Sequence, residues 1–451
     1  MEYLAGMTAQ DIPRIVIAGT HSGCGKTTVA RGLMQCLRKR GLIVQPFKVG
    51  PDFIDPTYHS SITGRISHNL DPFMMGEDGV REVFLRACKG ADIAIIEGVM
   101  GLYDGLDGTD NASTAHVMRL LRAPALLVVD VRGMSRSAHA LIGGFRSFDR
   151  TLDIRGVIFN RLGSPRHRTL IEQNLTVPAF GWIPRDPCLT VESRHLGLKM
   201  AFELEEEPRS LDLVGRSCDL EGLLSVASSA PPLPRNIPQE RSPGAKVRIG
   251  IASDAAFCFY YQDNLDALHA AGADLVMFSP IRDPLPDADA YYFGGGYPEL
   301  YARALAASPC RAMLKGAAEN GIPVYGECGG LLYLSEYLLV EGREYPMAGI
   351  LPAGAEMTSH IQALGYSDGT FSGGPRMSVP GSQVRGHEFH YSTINPERDA
   401  RFCVRLTRGK GIIDGNDGLF CNETIGVYTH SYFSGRFVAA MVDAATRCRK
   451  S

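Results

Sequence analysis

Cys328 stands in "IPVYGECGGLLYL" (322–334), with Gly326 before it and Gly329 after it. An apolar run, a glycine-flanked turn and a second apolar run predict strand, sharp turn and helix. Such a turn projects a reactive side chain and surrounds it with backbone N–H groups, and a helix N-terminus lowers a thiol pKa towards the thiolate. A thiol nucleophile needs a base, and His430 in "VYTHSYF" (427–433), after a short β run, is the candidate. The long chain separation is no obstacle, because the pairing is spatial. "FGGGYPE" (293–299) offers flexible backbone at Gly295 and Gly296 for an oxyanion hole. A carboxylate two residues after the histidine would orient its ring. Position 432 is Tyr, so that partner stays open. In "RGHEFHYS" (385–392) His387 and His390 are three apart, which is not the H-E-x-x-H zinc spacing. A polar loop facing substrate or the domain seam is the reading preferred there.

A second chemistry is written near the start. "RIVIAGTHSGCGKTT" (14–28) reads as strand, Gly-rich loop and helix start, the context a phosphate loop needs. Thr20, Gly23, Gly25, Lys26, Thr27 and Thr28 are the candidate phosphate-binding set. Backbone N–H groups and the helix dipole would close on the phosphates, Lys26 would reach the β/γ-phosphates, and the Thr27 hydroxyl would join a Mg²⁺ shell. Gly19 lies six residues before Gly25, one more than in G-x-x-x-x-G-K-[ST]. His21 occupies the place, five before Lys26, where partitioning ATPases carry a second lysine, which weakens a switch reading.

"KVGPDFIDPTYH" (48–59) follows the second strand and places Asp52 and Asp55 in a Pro-bounded loop. "EGVMGLYDG" (97–105) follows the third and brings Glu97 and Asp104 to the same rim. Carboxylates beside a bound triphosphate are useful only where metal offsets the repulsion, so Mg²⁺ is implied, with Thr27, Asp52 and Glu97 as ligands. Asn160 ends a strand where it could hydrogen-bond a base or form a turn. Arg194 and His195, in "DPCLTVESRHLGL" (186–198), could bind an acidic substrate or form a surface ion pair.

These residues need a scaffold. "RIVIAG" (14–19), "IVQPFKV" (43–49), "IAIIEG" (93–98), "ALLVVDV" (125–131) and "GVIFN" (156–160) are continuous apolar runs, as strands buried on both faces of a parallel sheet are. Helix-length segments between them, such as 26–40 with Val29, Leu33 and Leu37 in step, make a doubly wound α/β domain over 12–202. An acidic stretch, a short helical piece and then five prolines between 231 and 243 mark 203–245 as a linker. "KVRIGIASD" (246–254) opens a second α/β domain, 246–451. The chain has 451 residues, 45% hydrophobic and 21% charged, with a net charge of −3, so no basic excess suggests nucleic acid. No apolar run reaches the ~18–20 residues of a membrane helix, and the N-terminus is not a signal peptide. Eleven cysteines without a C-x-x-C pair argue against a disulfide framework and a zinc ribbon, leaving the cytoplasm as default.

Taken in order, the phosphate loop, "KVGPDFIDPTYH", "EGVMGLYDG", "FGGGYPE", "GECGG", "RGHEFHYS" and "YTH" resemble the cobyrinate a,c-diamide synthase family across about residues 13–445. The N-terminal half is similar to dethiobiotin synthetase, a P-loop fold without the second lysine. The C-terminal half is similar to class I glutamine amidotransferases of the cobyric acid synthase type, which typically lack the carboxylate after the histidine. The resemblance implies a ligase. Cys328 would take the amide of L-glutamine as a thioester and release ammonia, with His430 moving protons. ATP–Mg²⁺ would phosphorylate an acetate carboxylate of a tetrapyrrole-derived macrocycle, with Lys26, Thr27, Asp52, Asp55, Glu97 and Asp104 around the reacting groups. Ammonia would travel unprotonated along a shielded interdomain path. Cobyrinate, Ni-sirohydrochlorin (coenzyme F430 assembly) and hydrogenobyrinate all stay open as acceptor, and a homodimer is allowed for.

Overall fold

The apolar runs become the interior strands of a seven-stranded parallel sheet. In the computed structural model, which describes residues 9–189, 193–194, 197–198, 200, 211–234 and 247–449, the chain divides into two units, Met1–Pro238 and Gln239–Ser451. The first holds β1 (Arg14–Gly19), β2 (Val44–Val49), β3 (His68–Leu70), β4 (Ile93–Glu97), β5 (Ala125–Asp130), β6 (Ile154–Leu162) and β7 (Ala179–Pro184). Their order is β3-β2-β4-β1-β5-β6-β7. The short β3 and the half-buried β7 are edge strands that the apolar pattern alone did not reveal. Side chains alternate between two cores, Val16, Ala18 and Ile96 on one face and Ile15, Ile17 and Ile95 on the other. With β1 between β4 and β5, the order reverses at the end of β1, where open α/β sheets bind ligands.

Helix α1 (Lys26–Lys39) starts directly after Gly25 and packs Val29, Leu33, Met34 and Leu37 on the sheet. Helix α2 (Asp55–Thr63) begins at Asp55. That residue is therefore the first of a helix rather than part of a loop, because Pro56 presets a helical φ in the first turn. The linker stretch also contains structure. Helices α3 (Leu211–Arg216) and α4 (Leu220–Ser228) place Leu211, Val214, Leu220, Leu223 and Ala227 in the core that α1 covers. Leu233–Pro234 then pairs antiparallel with Ala9–Gln10. The prolines that suggested a linker start only at Pro231, and the apolar spacing ahead of them is that of helices.

The second unit holds β8 (Val247–Ala252), β9 (Ala273–Phe278), β10 (Ala290–Phe293), β11 (Val324–Glu327), β12 (Ala363–Phe371), β13 (Gln383–His390), β14 (Arg401–Arg408), β15 (Asn416–Cys421), β16 (Thr424–Val427) and β17 (His430–Tyr432). They form one sheet in the order β9-β8-β10-β11-β16-β15-β14-β12-β13-β17, parallel as far as β16 and antiparallel beyond. Only Tyr428 and Thr429 join β16 to β17, although four strands lie between them in the sheet. Five strand spacings would span about 24 Å if flat, whereas the link reaches at most about 11 Å. The antiparallel half must therefore curl until β17 returns beside β16. "RGHEFHYS", read as a loop, lies mostly in β13, with His387, Glu388 and His390 buried. Among the described residues no helix is long and apolar enough to cross a membrane.

Gly32 on α1 tests the placement of α3. A Cβ there would lie 2.4 Å from Val214 Cβ, so Gly32→Ala should destabilise by about 1–3 kcal/mol through overpacking. An unchanged urea midpoint would disprove that contact.

Candidate active sites

In the first unit a cavity of about 740 Å³ opens at the carboxyl ends of β1, β2 and β4. Gly23, Gly25, Lys26, Thr27, Thr28, Asp52, Asp55, Glu97 and Asn160 all line it, whereas Thr20, grouped with them from the sequence, does not. The loop is tight for specific reasons. A Cβ on Gly19 would meet Cys24 Sγ at 2.6 Å and Lys26 Cδ at 2.8 Å. Gly25 has φ 102°, and a Cβ there would strike Asn160 Nδ2. Asn160 donates from Nδ2 to Cys24 O at 2.9 Å and accepts from Arg161 N at 2.9 Å. It braces the loop from behind. Lys26 donates to Met100 O at 2.5 Å and His21 O at 3.3 Å, and burial lowers its pKa. Thr20 Oγ1 meets His21 Nδ1 at 3.0 Å, and Thr28 Oγ1 donates to Leu189 O at 3.5 Å.

Below the loop lies a residue that sequence reasoning did not single out. Lys48 Nζ is 2.5 Å from Asp55 Oδ2, 2.7 Å from Glu97 Oε1 and 3.9 Å from Asp52 Oδ2. Lys48 and Glu97 are register partners on β2 and β4. Thr27 Oγ1 donates to Glu97 Oε1 at 2.7 Å and lies 3.3 Å from Asp55 Oδ2, while His59 Nε2 meets Glu97 Oε2 at 2.7 Å. Burial would raise Glu97, but Lys48 and His59 overcome it and hold the carboxyl well below its usual range. Burial, then Asp52 and Glu97, push Asp55 well above its own. Lys48 is raised, because Asp55 and Glu97 outweigh its burial. The signal for Lys48 was present: a charge inside an otherwise apolar parallel strand has to be paired. Three carboxylates against one ammonium, with the Thr27 hydroxyl among them, form a hard-oxygen set suited to a divalent cation. Asp104 stands apart, its Oδ2 accepting from Gly101 N at 2.9 Å in a turn that does not line the cavity. Arg194 lies in the two-residue strand Ser193–Arg194, paired with Gly197–Leu198, and His195 is outside the described residues.

The second unit carries the nucleophile. Cys328 adopts φ 46°, ψ −98° between β11 and the short helix α5 (Gly329–Leu334), a strained backbone costing about 1–3 kcal/mol. Its N–H donates to Val427 O at 2.7 Å. A Cβ on Gly330 would lie 2.3 Å from Phe293 O, and one on Gly326 2.9 Å from Gly330 C, so the turn closes only with glycines. Gly295 and Gly296 border both reactive groups. A Cβ on Gly295 would lie 2.2 Å from His430 Cε1, and one on Gly329 3.1 Å from Gly296 N. The Gly295 N–H is committed to Phe259 O at 3.2 Å, whereas Gly296 N sits against the elbow. Burial pushes the thiol up to about 12. Burial, with His387 and His390 adding to it, drops His430 well below its ordinary value. Both shifts favour the neutral forms, thiol and imidazole.

No carboxylate follows His430, yet three buried side chains hold its segment by the backbone. Asp417 accepts from Tyr428 N at 2.9 Å and Thr429 N at 3.1 Å. Glu327, the neighbour of the nucleophile, accepts from Ser431 N at 3.0 Å and Tyr292 OH at 2.9 Å. Asn264 donates to Ser431 O at 2.7 Å and accepts from Phe433 N at 2.8 Å. The imidazole stacks on His387 with centroids 5.2 Å apart, and His387 Nδ1 meets Tyr261 OH at 2.8 Å. His390 stacks on Tyr428 at 3.6 Å. None of these roles has a local motif, because each partner comes from a distant strand or helix.

Two outcomes are expected. Lys48→Met leaves buried carboxylates without their counter-ion and should destabilise by about 3–5 kcal/mol while abolishing nucleotide turnover; wild-type thermal stability would contradict the pairing. For Glu327, burial raises the carboxyl to about 8. Its folded pKa exceeds the unfolded value of ~4.3, so its contribution to stability is greatest below that value and is lost as pH rises towards 8. The melting temperature of Glu327→Gln relative to wild type should therefore climb between roughly pH 5 and 8. A pH-independent difference would contradict this.

Residues 15–198 match the CobQ/CobB/MinD/ParA nucleotide binding domain, and residues 248–437 the CobB/CobQ-like glutamine amidotransferase domain. Among similar proteins, a cobyrinate a,c-diamide synthase of Methanosarcina acetivorans is 42% identical, over 99% of this chain and 98% of that one. A protein of that name from Archaeoglobus fulgidus is 43% identical, over 94% and 95%. Another from Listeria innocua is 42% identical, over 93% and 96%. Likeness on this scale, spanning both units, shows that the chain belongs to the cobyrinate a,c-diamide synthase family and is a ligase of the glutamine-amidotransferase kind.

Proposed function

We propose that the protein uses ATP and glutamine to convert the a and c acetate groups of cobyrinate to amides. The observation that carries this is a single chain holding both a phosphate-loop cavity floored by carboxylates and an elbow thiol that shares the Gly295–Gly296 turn with a buried histidine. In the first unit, Gly23, Gly25 and Lys26 bind the triphosphate, and Thr27, Asp52 and Glu97 hold Mg²⁺, with Asp55 beside them. The cation screens phosphate charge when bound. Lys48 keeps Asp55 and Glu97 in place and offers positive charge where an acceptor carboxylate approaches the γ-phosphate. A carboxylate is a poor electrophile because oxide is a poor leaving group; an acyl phosphate removes that obstacle.

In the second unit, His430 takes the Cys328 proton as sulfur attacks the glutamine amide carbon, and Gly296 N–H meets the developing oxyanion. Collapse of the adduct expels ammonia, which receives its proton from His430 and leaves a thioester for water to cleave. Ammonia then displaces phosphate from the acyl phosphate. The names of the full-length relatives favour cobyrinate as acceptor.

The test offers purified enzyme cobyrinate, hydrogenobyrinate and Ni-sirohydrochlorin with ATP, Mg²⁺ and glutamine, and reads product masses. Mono- and diamide of cobyrinate are expected at the highest rate. Faster amidation of another ring would reassign the acceptor. Cys328→Ser should lose about 10³-fold or more of its glutamine-dependent rate while ammonium salts still support amidation. Undiminished ammonia release from glutamine would refute the nucleophile.

A further inference from the structure

Glu299 has no role in the chemistry above, yet its turn packs against the elbow that carries the nucleophile. It sits in the 3₁₀ turn Pro298–Tyr301 that follows Gly295–Gly296, and that turn packs on the elbow, since a Cβ on Gly329 would lie 3.1 Å from Pro298 Cδ. The residue is half-buried. Among the described residues no ion pair holds its carboxylate, whose hydrogen bond comes from its own backbone N–H. Burial is the main force raising the Cys328 thiol, and of the charges that add to it Glu299 stands first, ahead of Glu327 and Glu388. Burial pushes Glu299 itself up to about 7.

A lone carboxylate beside a thiol that must ionise has the wrong sign for catalysis. Protonation removes that opposition, and so does a cation lying next to the carboxylate during turnover. Glutamine carries one cationic group, the α-ammonium, a few bonds from the amide that Cys328 attacks. We propose that Glu299 receives the α-ammonium of glutamine. This deepens the glutaminase reading and rests on it. Two consequences follow from the one contact: the site prefers an α-amino acid to a plain amide, and the charge opposing thiolate formation is cancelled when the right substrate is seated.

The experiment compares ammonia release from glutamine and from glutaramate, which has the same amide but no α-ammonium, in wild type and Glu299→Gln. In the variant, KM for glutamine should rise about tenfold to a hundredfold, the range set by loss of a charge-assisted hydrogen bond, with kcat changed only a few-fold. Its rate with glutaramate should hold or rise, because the charge opposing the thiolate is gone, so the preference collapses. Substrate-free Cys328 should also react faster with iodoacetamide in Glu299→Gln than in wild type, which additionally shows an intact elbow. An undiminished preference for glutamine in a variant that still alkylates would overturn the proposal. Should Glu299→Gln fail to fold, Glu299→Asp keeps the charge and must keep the preference; losing it would equally overturn the proposal. A wild type that releases no ammonia from glutamine would instead sink the glutaminase reading, a separate outcome.

Discussion

A lysine ammonium buried at the end of a parallel strand has to be matched, and much of the first unit's site follows from how Lys48 is matched. Its register partner across the sheet is Glu97, and Asp55 meets it from the first residue of α2. Exposed ion pairs contribute about 0–1 kcal/mol, but removing one member of a buried pair costs about 3–5 kcal/mol. The cluster is therefore a fixed point. Thr27 is anchored to it through Glu97, which sets where the phosphate loop ends. His59 fills the other oxygen of Glu97, which sets where α2 lies. The cavity floor is thus rigid and acidic before any phosphate arrives.

The second unit meets a related problem with neutral geometry. Its reactive groups are a strained cysteine and a histidine held by the backbone on either side, and both rest against the same two glycines. Close approach replaces charge pairing: any side chain at position 295 would occupy the imidazole's place, and any at 330 would collide with the end of β10. Orientation comes from Asp417, Glu327 and Asn264 gripping peptide groups on both sides of His430. A carboxylate on the ring itself is not needed to fix where that ring stands.

What the sequence made legible is what is local. The phosphate loop, the elbow and the five interior strands are contiguous patterns, and each folds as its own spacing dictates. Asp52, Asp55 and Glu97 were legible because each lies at or just past the end of a strand in a fold that gathers strand ends at one rim. Asp104 was drawn in by that same logic, but a short turn consumed its carboxylate before it reached the cavity. The meander from β12 to β17 was opaque, since its strands mix buried histidines, glutamate and arginine whose partners lie far away in sequence. "RGHEFHYS" looked like a loop for this reason: polar composition signals exposure only when the partners are unknown. The short helical piece legible ahead of the prolines is two helices, α3 and α4, whose packing on α1 no local pattern announces.

The two-residue link between β16 and β17 bears on the order in which the chain becomes an enzyme. Val427 O receives the N–H of Cys328, β16 covers the open side of β11, and three residues beyond Val427 the chain delivers His430. A ribosome that has made the elbow but not yet residues 424–432 has therefore built a sheet with a bare edge and a nucleophile without base or backstop. Both are supplied by one short, late segment. The thiol therefore acquires base and backstop together, from one segment, and the elbow alone is not a complete site.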